Sequence, residues 1–409
     1  MTSSHAAPAR FLPLAGIRVL DFSKVLAGPQ CAQYLGELGA EVVKVEPIGT
    51  GDDTRHWPPF DDGNGAIFLS ANRNKRSLAL DLKSAEGRDI CHRLAARADV
   101  VIESFGPGVA ARLGVDHATL SALNPKLVHC SISGYGTVGP MREGKGYDLI
   151  LQAFSGMIAI TGDPEGAAAR SPFSPVDQGT GLHAVIGILG GLMQRDRTGV
   201  GCRIEASLFD TSVGFLAYFL QGFWTRGTEP ARAGSGHESL CPYQVFDTKD
   251  RPLILGVAND TLWVAFCRVA GVPDLASRDG FRTNAERVSR RAETVAIVAD
   301  LMRAHTRDEW LALLDEAGIP CSPVHSLGEL SDHPHTRASG MVFDYRTPEG
   351  RPLRAVSMPL RVDGERPAPN RPAPGLGADS DAVLREAGYS PEDIEALHRR
   401  GVVAQSPRP

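Results

Sequence analysis

Ile17-Arg-Val-Leu-Asp-Phe22, then Ala27 to Leu38, then Glu41-Val-Val-Lys-Val-Glu46 is the stretch that decides the fold. Two short segments rich in aliphatic and β-branched residues flank a segment with a helical pattern. The same alternation continues outward. Ser77–Leu82, Val100–Glu103 and Leu127–Ser133 read as strands, and Ser84–Ala96 reads as a helix with Ile90, Leu94 and Ala95 on one face. An apolar helical run from Leu182 to Met193 and a second from Leu208 to Phe223, with a strand at Cys202–Ala206 between them, carry it further. Strands alternating with helices argue for a largely parallel α/β sheet.

Composition shifts at 226–243, a Gly/Pro/Arg-rich stretch that reads as a hinge. Beyond it come a strand at Pro252–Val257 and helices at Asp260–Val269, Arg287–His305 and Arg307–Ala317. Residues 363–377 are Pro/Gly-rich and read as an extended connector, and two short helices follow at Ser380–Ala387 and Pro391–Arg400. A chain of 409 residues exceeds what one core usually supports. The expected division is a large α/β domain from 1–225 and 335–409, with a smaller domain at 226–334.

With 42% hydrophobic and 22% charged residues, the composition is that of a globular protein. A net charge of −5 without a dense Lys/Arg tract argues against nucleic acid as a partner. The seven cysteines are scattered and never spaced C-x-x-C, which suits reduced thiols in a cytoplasmic protein and neither a disulfide framework nor a zinc site. No apolar stretch reaches 18 residues without interruption, so no membrane span is expected, and Met1 to Pro13 reads as a frayed terminus.

Several motifs fail on context. Gly134-Tyr-Gly136-Thr-Val-Gly139 fits a dinucleotide fingerprint, but Pro140 to Gly144 read as more loop where a helix must open. His237-Glu238-Ser-Leu-Cys241 is half of a zinc-protease motif, with Cys in place of the second His and Pro242 directly after. His333 and His335 lack a third ligand nearby, so no metal is expected. Neither a G-x-S-x-G elbow nor a phosphate-binding P-loop occurs.

Ser174-Pro-Val-Asp177-Gln-Gly-Thr-Gly181 reads as a loop delivering a carboxylate to a helix expected to start at Gln178. Such an Asp either caps the helix or, held by the helix dipole, offers an oxygen to an electrophile.

The wider pattern resembles the class III coenzyme A-transferase family, which also contains the α-methylacyl-CoA racemases. The markers run from Leu14 to about Val403: Leu14-Ala-Gly-Ile-Arg-Val-Leu-Asp21-Phe22, Ala27-Gly28-Pro29, Leu38-Gly39-Ala40, Asn74-Lys75-Arg76-Ser77, Ala98-Asp-Val-Val-Ile-Glu103-Ser-Phe105-Gly-Pro107, Gly146-Tyr147-Asp148, the Asp177 segment and Gly318-Ile-Pro320. The resemblance implies that Asp177 is the nucleophile, attacking an acyl-CoA thioester to give a mixed anhydride. It implies coenzyme contacts at Leu26, Ala27, Leu80, Lys83, Ser104, Phe105, Arg112, Lys145 and Tyr147. Lys83, Arg112 and Lys145 would then neutralise phosphates and Phe105 flank the adenine.

Departures narrow the activity. Relatives using formyl-CoA carry Gln where Leu26 stands, Arg where Pro47 stands and Asn where Ser104 stands, and have a longer glycine-rich lid. Racemases need His where Tyr147 stands, and a phenol is a poor carbon base at neutral pH. The segment Gly234-Ser-Gly236-His237 through Asp250 resembles the branch acting on small dicarboxylates, with Gly236 and His237 as candidate substrate contacts. The expectation is a CoA-transferase moving CoA from a short donor such as succinyl-CoA to a small dicarboxylic acid. An isomerase of branched acyl-CoA is the rival. No tightly bound cofactor is expected, the CoA thioester being a substrate. The implied architecture is a large doubly wound, Rossmann-like α/β domain with a smaller α+β domain, in an interlocked homodimer.

Overall fold

The computed structural model describes residues 11–347, 350–367 and 371–405. The expected frayed terminus therefore lies largely outside the described residues, as do 368–370 of the expected connector. Among the described residues seven strands form the main sheet: β1 (Arg18–Asp21), β2 (Glu41–Glu46), β3 (Lys75–Leu80), β4 (Val100–Glu103), β5 (Val128–Ser133), β6 (Cys202–Ser207) and β7 (Val403–Ala404). Their order is β7-β3-β2-β1-β4-β5-β6. Every pairing is parallel except β7 on β3, where Val403 faces Leu80. The order 3-2-1-4-5-6 is that of the doubly wound dinucleotide fold, and the direction of winding reverses between β1 and β4.

Alternation along the strands supplies two apolar faces. Leu20, Val43, Val45, Leu78, Leu80 and Val101 pack with Ile90, Leu120, Val383, Leu384, Ile394 and Leu397 from helices on one side. The other side carries α1 (Ala27–Glu37) and α3 (Pro175–Thr198). α3 begins at Pro175, and Ser174 before it stands at φ 53° with no side-chain cap. Pro suits a first helical position because its missing N–H would have no intrahelical partner there. The expected start at Gln178 is therefore three residues late, and Asp177 lies inside the first turn, not in a loop. The stop is Gly199 at φ 74°, a left-handed cap.

The chain divides into two compact units. The first comprises the residues up to Ser155, Pro172–Tyr218 and those from Pro334 onward. The second comprises Gly156–Ser171 and Phe219–His333. Gly156–Ser171 departs from the expected division, which placed it in the large domain. Its backbone explains why: the Gly234 N–H donates to the Gly162 carbonyl at 3.0 Å, and Arg232 donates to the carbonyls of Asp163 and Gly166. Within the second unit, Tyr243–Phe246, Leu253–Gly256 and Cys321–Pro323 form an antiparallel sheet. Trp263, Phe266, Phe281, Met302, Trp310 and Leu314 fill its core, which makes the unit α+β.

Two expected helices are broken. Leu208–Phe223 is divided at Leu216 and Arg287–His305 at Arg290. A hairpin at Val342–Arg346 and Pro352–Val356 was not expected from the sequence.

Candidate active site

At the switch between β1 and β4, loops leave the carboxyl ends of neighbouring strands in opposite directions and open a crevice. A buried charge network holds the first of them. Lys75 Nζ lies 2.8 Å from Asp21 Oδ2 and donates also to the Pro29 carbonyl and Asn72 Oδ1. Lys44 Nζ donates to the Ser23 carbonyl at 2.8 Å and meets Asp52 Oδ2 at 2.9 Å. Asp52 in turn accepts from the Val25 N–H at 3.3 Å. Val25 stands at φ 70°, a strained conformation for a β-branched residue, so surrounding bonds must enforce it. Ser104 Oγ accepts from the Lys24 N–H at 3.0 Å, tying this loop to the one after β4.

The loop after β5 doubles back. A Cβ on Gly134 would stand 2.7 Å from the Gly146 backbone, so glycine permits the close crossing. The fingerprint-like glycines thus serve a loop crossing that leads into α2 (Asp148–Phe154), not a helix opening on a pyrophosphate. Asp148 is buried, at 5% exposure. Its Oδ2 accepts from the Val176 N–H at 2.9 Å and the Asp177 N–H at 3.1 Å, while Gln152 holds Oδ1. Asp148 therefore satisfies the N–H groups at the start of α3 that Ser174 leaves open.

This arrangement bears on the two readings of Asp177. The capping role belongs to Asp148. The Asp177 carboxylate accepts no hydrogen bond from any described residue and faces a cavity of about 670 Å³. Burial, with the nearby Asp148 charge added, pushes its carboxyl up to about 7. A carboxylate so destabilised is a better nucleophile than an exposed one, and near neutrality it is also a competent base.

Leu26, Ala27, Ser104, Phe105, Lys145 and Tyr147 line the cavity with Asp177. Tyr147 is open at 62% exposure, and Lys145 is exposed with no carboxylate at ion-pair distance among the described residues. Three candidates are not brought to it. Leu80 is 1% exposed, its side chain packed in the core, which leaves no surface for a ligand. The coenzyme contact expected at Leu80 is corrected accordingly. Lys83 and Arg112 are solvent-exposed outside the cavity lining. Gly236 and His237 belong to the second unit, where His237 Nδ1 accepts from the Ser239 N–H at 3.1 Å and its ring lies edge-on to Tyr243.

Sequence reasoning missed Asp148 as the cap of α3, and it missed one wall. Ser131 of β5 lines the cavity beside Glu205 of β6, its register partner, while His129 of the same strand is fully buried. The signal was present in Val128-His-Cys-Ser-Ile-Ser133, where polar residues alternate with apolar ones as on a strand with one open face. A second cavity of about 1210 Å³ lies beside the Pro352–Val356 strand and touches Leu26 and Gln178. Its Arg73, Arg351, Arg354 and Arg371 are each paired with a carboxylate, and Asp177 is not in its wall. Chemistry is assigned to the smaller one. Among the described residues, no cluster of His, Cys, Asp and Glu is placed to hold a metal, and no helix is long and apolar enough to cross a membrane.

Comparison with known proteins finds relatives along most of the chain. Residues 14–380 match the family model described as CoA-transferase family III. The chain is 37% identical to the succinyl-CoA:glutarate CoA-transferase of Mus musculus, covering 96% of this chain and 91% of that protein. It is 36% identical to the succinate–glutarate CoA-transferase of Agrobacterium fabrum, covering 93% and 96% respectively. Among solved structures, a CaiB/BaiF family protein from Brucella suis is similar with a TM-score of 0.82 at 35% identity, covering 92% of this chain and all of that one.

Proposed function

The chain belongs to CoA-transferase family III, and from that premise we propose that it moves CoA from a short acyl-CoA, succinyl-CoA foremost, to a small dicarboxylic acid such as glutarate, with Asp177 as nucleophile. The observation that carries this reading is the Asp177 carboxylate itself. It is free of hydrogen bonds from the described residues, raised by burial, and directed into a cavity at the switch point of the sheet. Glutarate as acceptor rests on the named activities of the mouse and Agrobacterium relatives.

In the first step an Asp177 oxygen attacks the thioester carbonyl. The C–S bond breaks and CoA leaves as a thiolate, with the acyl group held as a mixed anhydride. The thiolate then attacks the aspartyl carbonyl, releasing the donor acid and leaving CoA on Asp177. The acceptor carboxylate repeats these steps in reverse order, so CoA departs on the acceptor and the Asp177 carboxylate is restored. Lys145 at the cavity rim suits a coenzyme phosphate, and Lys83 and Arg112 offer further charge from the solvent side. His237, with its ring proton placed on Nε2 by the Ser239 contact, is a hydrogen-bond donor suited to the distal carboxylate of the acceptor. The CoA thioester is substrate, and no tightly bound cofactor enters this scheme. A cytoplasmic, reducing setting suits the free cysteines.

A homodimer belongs to the same proposal. Leu182, Ile186 and Met193 of α3 are 45%, 67% and 59% exposed on one helical face, and Leu149, Ile150 and Phe154 of α2 are exposed as well. Apolar surface on this scale suits an interface between copies.

The test is a panel of acyl-CoA donors and free acids with products read by mass spectrometry. Transfer from succinyl-CoA to glutarate that vanishes in Asp177→Ala, with hydroxylamine labelling Asp177 during turnover, is the expected result. Deuterium entering Cα of an acyl-CoA without any transfer would replace this reading with an isomerase.

A further inference from the structure

We propose that Asp148 is a positioning residue that uses its charge to set the reactivity of Asp177, beyond capping the helix that carries it. The inference rests on the reading of Asp177 as nucleophile and adds a residue that does not itself touch the reacting atoms.

The geometry has three parts. Asp148 is buried, and its Oδ2 takes the N–H groups of Val176 and of Asp177 itself, at 2.9 and 3.1 Å. Its Oδ1 is held by Gln152, one turn along the same helix, so the carboxylate has a fixed orientation. The helix start it serves has no side-chain cap of its own. A neutral side chain would satisfy those N–H groups, since Ser and Asn cap helices as well as Asp does. The choice of a carboxylate beside a second carboxylate therefore needs another reason.

Like charges in proximity disfavour the resting, ionised state of the pair. When Asp177 attacks a thioester carbonyl, its own charge passes to the departing CoA thiolate and the aspartyl group becomes a neutral anhydride. The repulsion present before attack is relieved by it, so Asp148 lowers the barrier to acylation. The other charged groups at this cavity are engaged elsewhere: Lys24 with Asp53, Arg142 with Glu143, Arg203 with Glu205, Asp116 with Thr119 and Glu103 with the Phe105 N–H, while the His117 and His129 rings meet edge-on. Lys145, from the loop before α2, lies on the cavity wall and is solvent-exposed. Of the elements against α3, α2 is the one whose charge reaches Asp177, as Asp210 of the Leu208–Phe215 helix is bonded to Ser207 and His183 of α3 to Thr211.

The experiment compares wild type with Asp148→Asn and Asp148→Ser, both able to accept from the same N–H groups. The pH profile of kcat/KM for acyl-CoA is measured, with hydroxylamine trapping of the anhydride. Both neutral variants are expected to move the acid limb down by about one pH unit or more. They are also expected to lower the plateau by roughly threefold, as nucleophiles lose reactivity when their basicity falls. A folded variant with an unmoved acid limb overturns the proposal, and so does failure of both to fold, which would make the carboxylate structural. Asp177→Ala, run alongside, separates the two claims. Transfer persisting there removes the nucleophile reading, whereas its loss with unmoved Asp148 profiles removes only the role of Asp148.

Discussion

Asp177 is costly to keep in the state the proposed chemistry needs. Burial and the Asp148 charge hold its proton up to about 7, against 3.8 for an ordinary aspartate. Between those values the unfolded chain binds fewer protons than the folded one, so stability falls as pH rises through the window and is level above it. Replacing Asp177 by Asn removes the cost. Asp177→Asn is expected to be inactive yet more stable, by roughly 2–4 kcal/mol above about pH 7, with the gain fading to nothing near pH 4. Denaturant melts at three pH values measure this, and a gain independent of pH would contradict it. In the wild type, kcat/KM should rise with pH toward a plateau just above neutrality. The residue type and the segment around Asp177 were legible in sequence. The raised carboxyl was not, because it comes from burial, with the Asp148 charge added, and both arise only through the fold.

α3 shows what local pattern misses. An apolar run from Leu182 to Met193 marks the helix well, but its first turn is Pro, Val, Asp and Gln, which reads as loop. Tertiary contacts extend the helix back to Pro175, because Asp148 satisfies its open N–H groups from another element. Close packing of α3 on α1 makes further demands. A Cβ on Gly181 would stand 2.6 Å from the Ala27 carbonyl oxygen, next to Leu26 in the cavity wall. Gly181→Ala must push the start of α1 outward. Expected are a loss of about 1–3 kcal/mol in stability, typical of overpacking, and a fall in kcat/KM as Leu26 and Ala27 shift. A urea midpoint and rate equal to wild type would show that α1 yields without consequence.

At the scale of the molecule, the exposed face of α3 makes a prediction about assembly. If Leu182, Ile186 and Met193 bury against a second copy, Ile186→Glu should shift the sedimentation coefficient from dimer toward monomer and weaken transfer at low protein concentration. A wild type that sediments as a monomer at assay concentration would refute the dimer outright. The α/β class, the five leading strands and the Asp177 segment followed from sequence alone, since strand and helix periods are properties of neighbouring residues. Order in the sheet, the antiparallel edge strand Val403–Ala404 and the excursion of Gly156–Ser171 into the second unit did not, for they depend on pairings between distant segments. The same holds for the site. Its chemistry could be read from residue types, whereas Leu80 in the core, Ser131 in the wall, and Asp148 behind Asp177 were decided by tertiary structure. Burial, register and the approach of two like charges are long-range facts, and a linear pattern carries them only where both partners happen to be near in sequence.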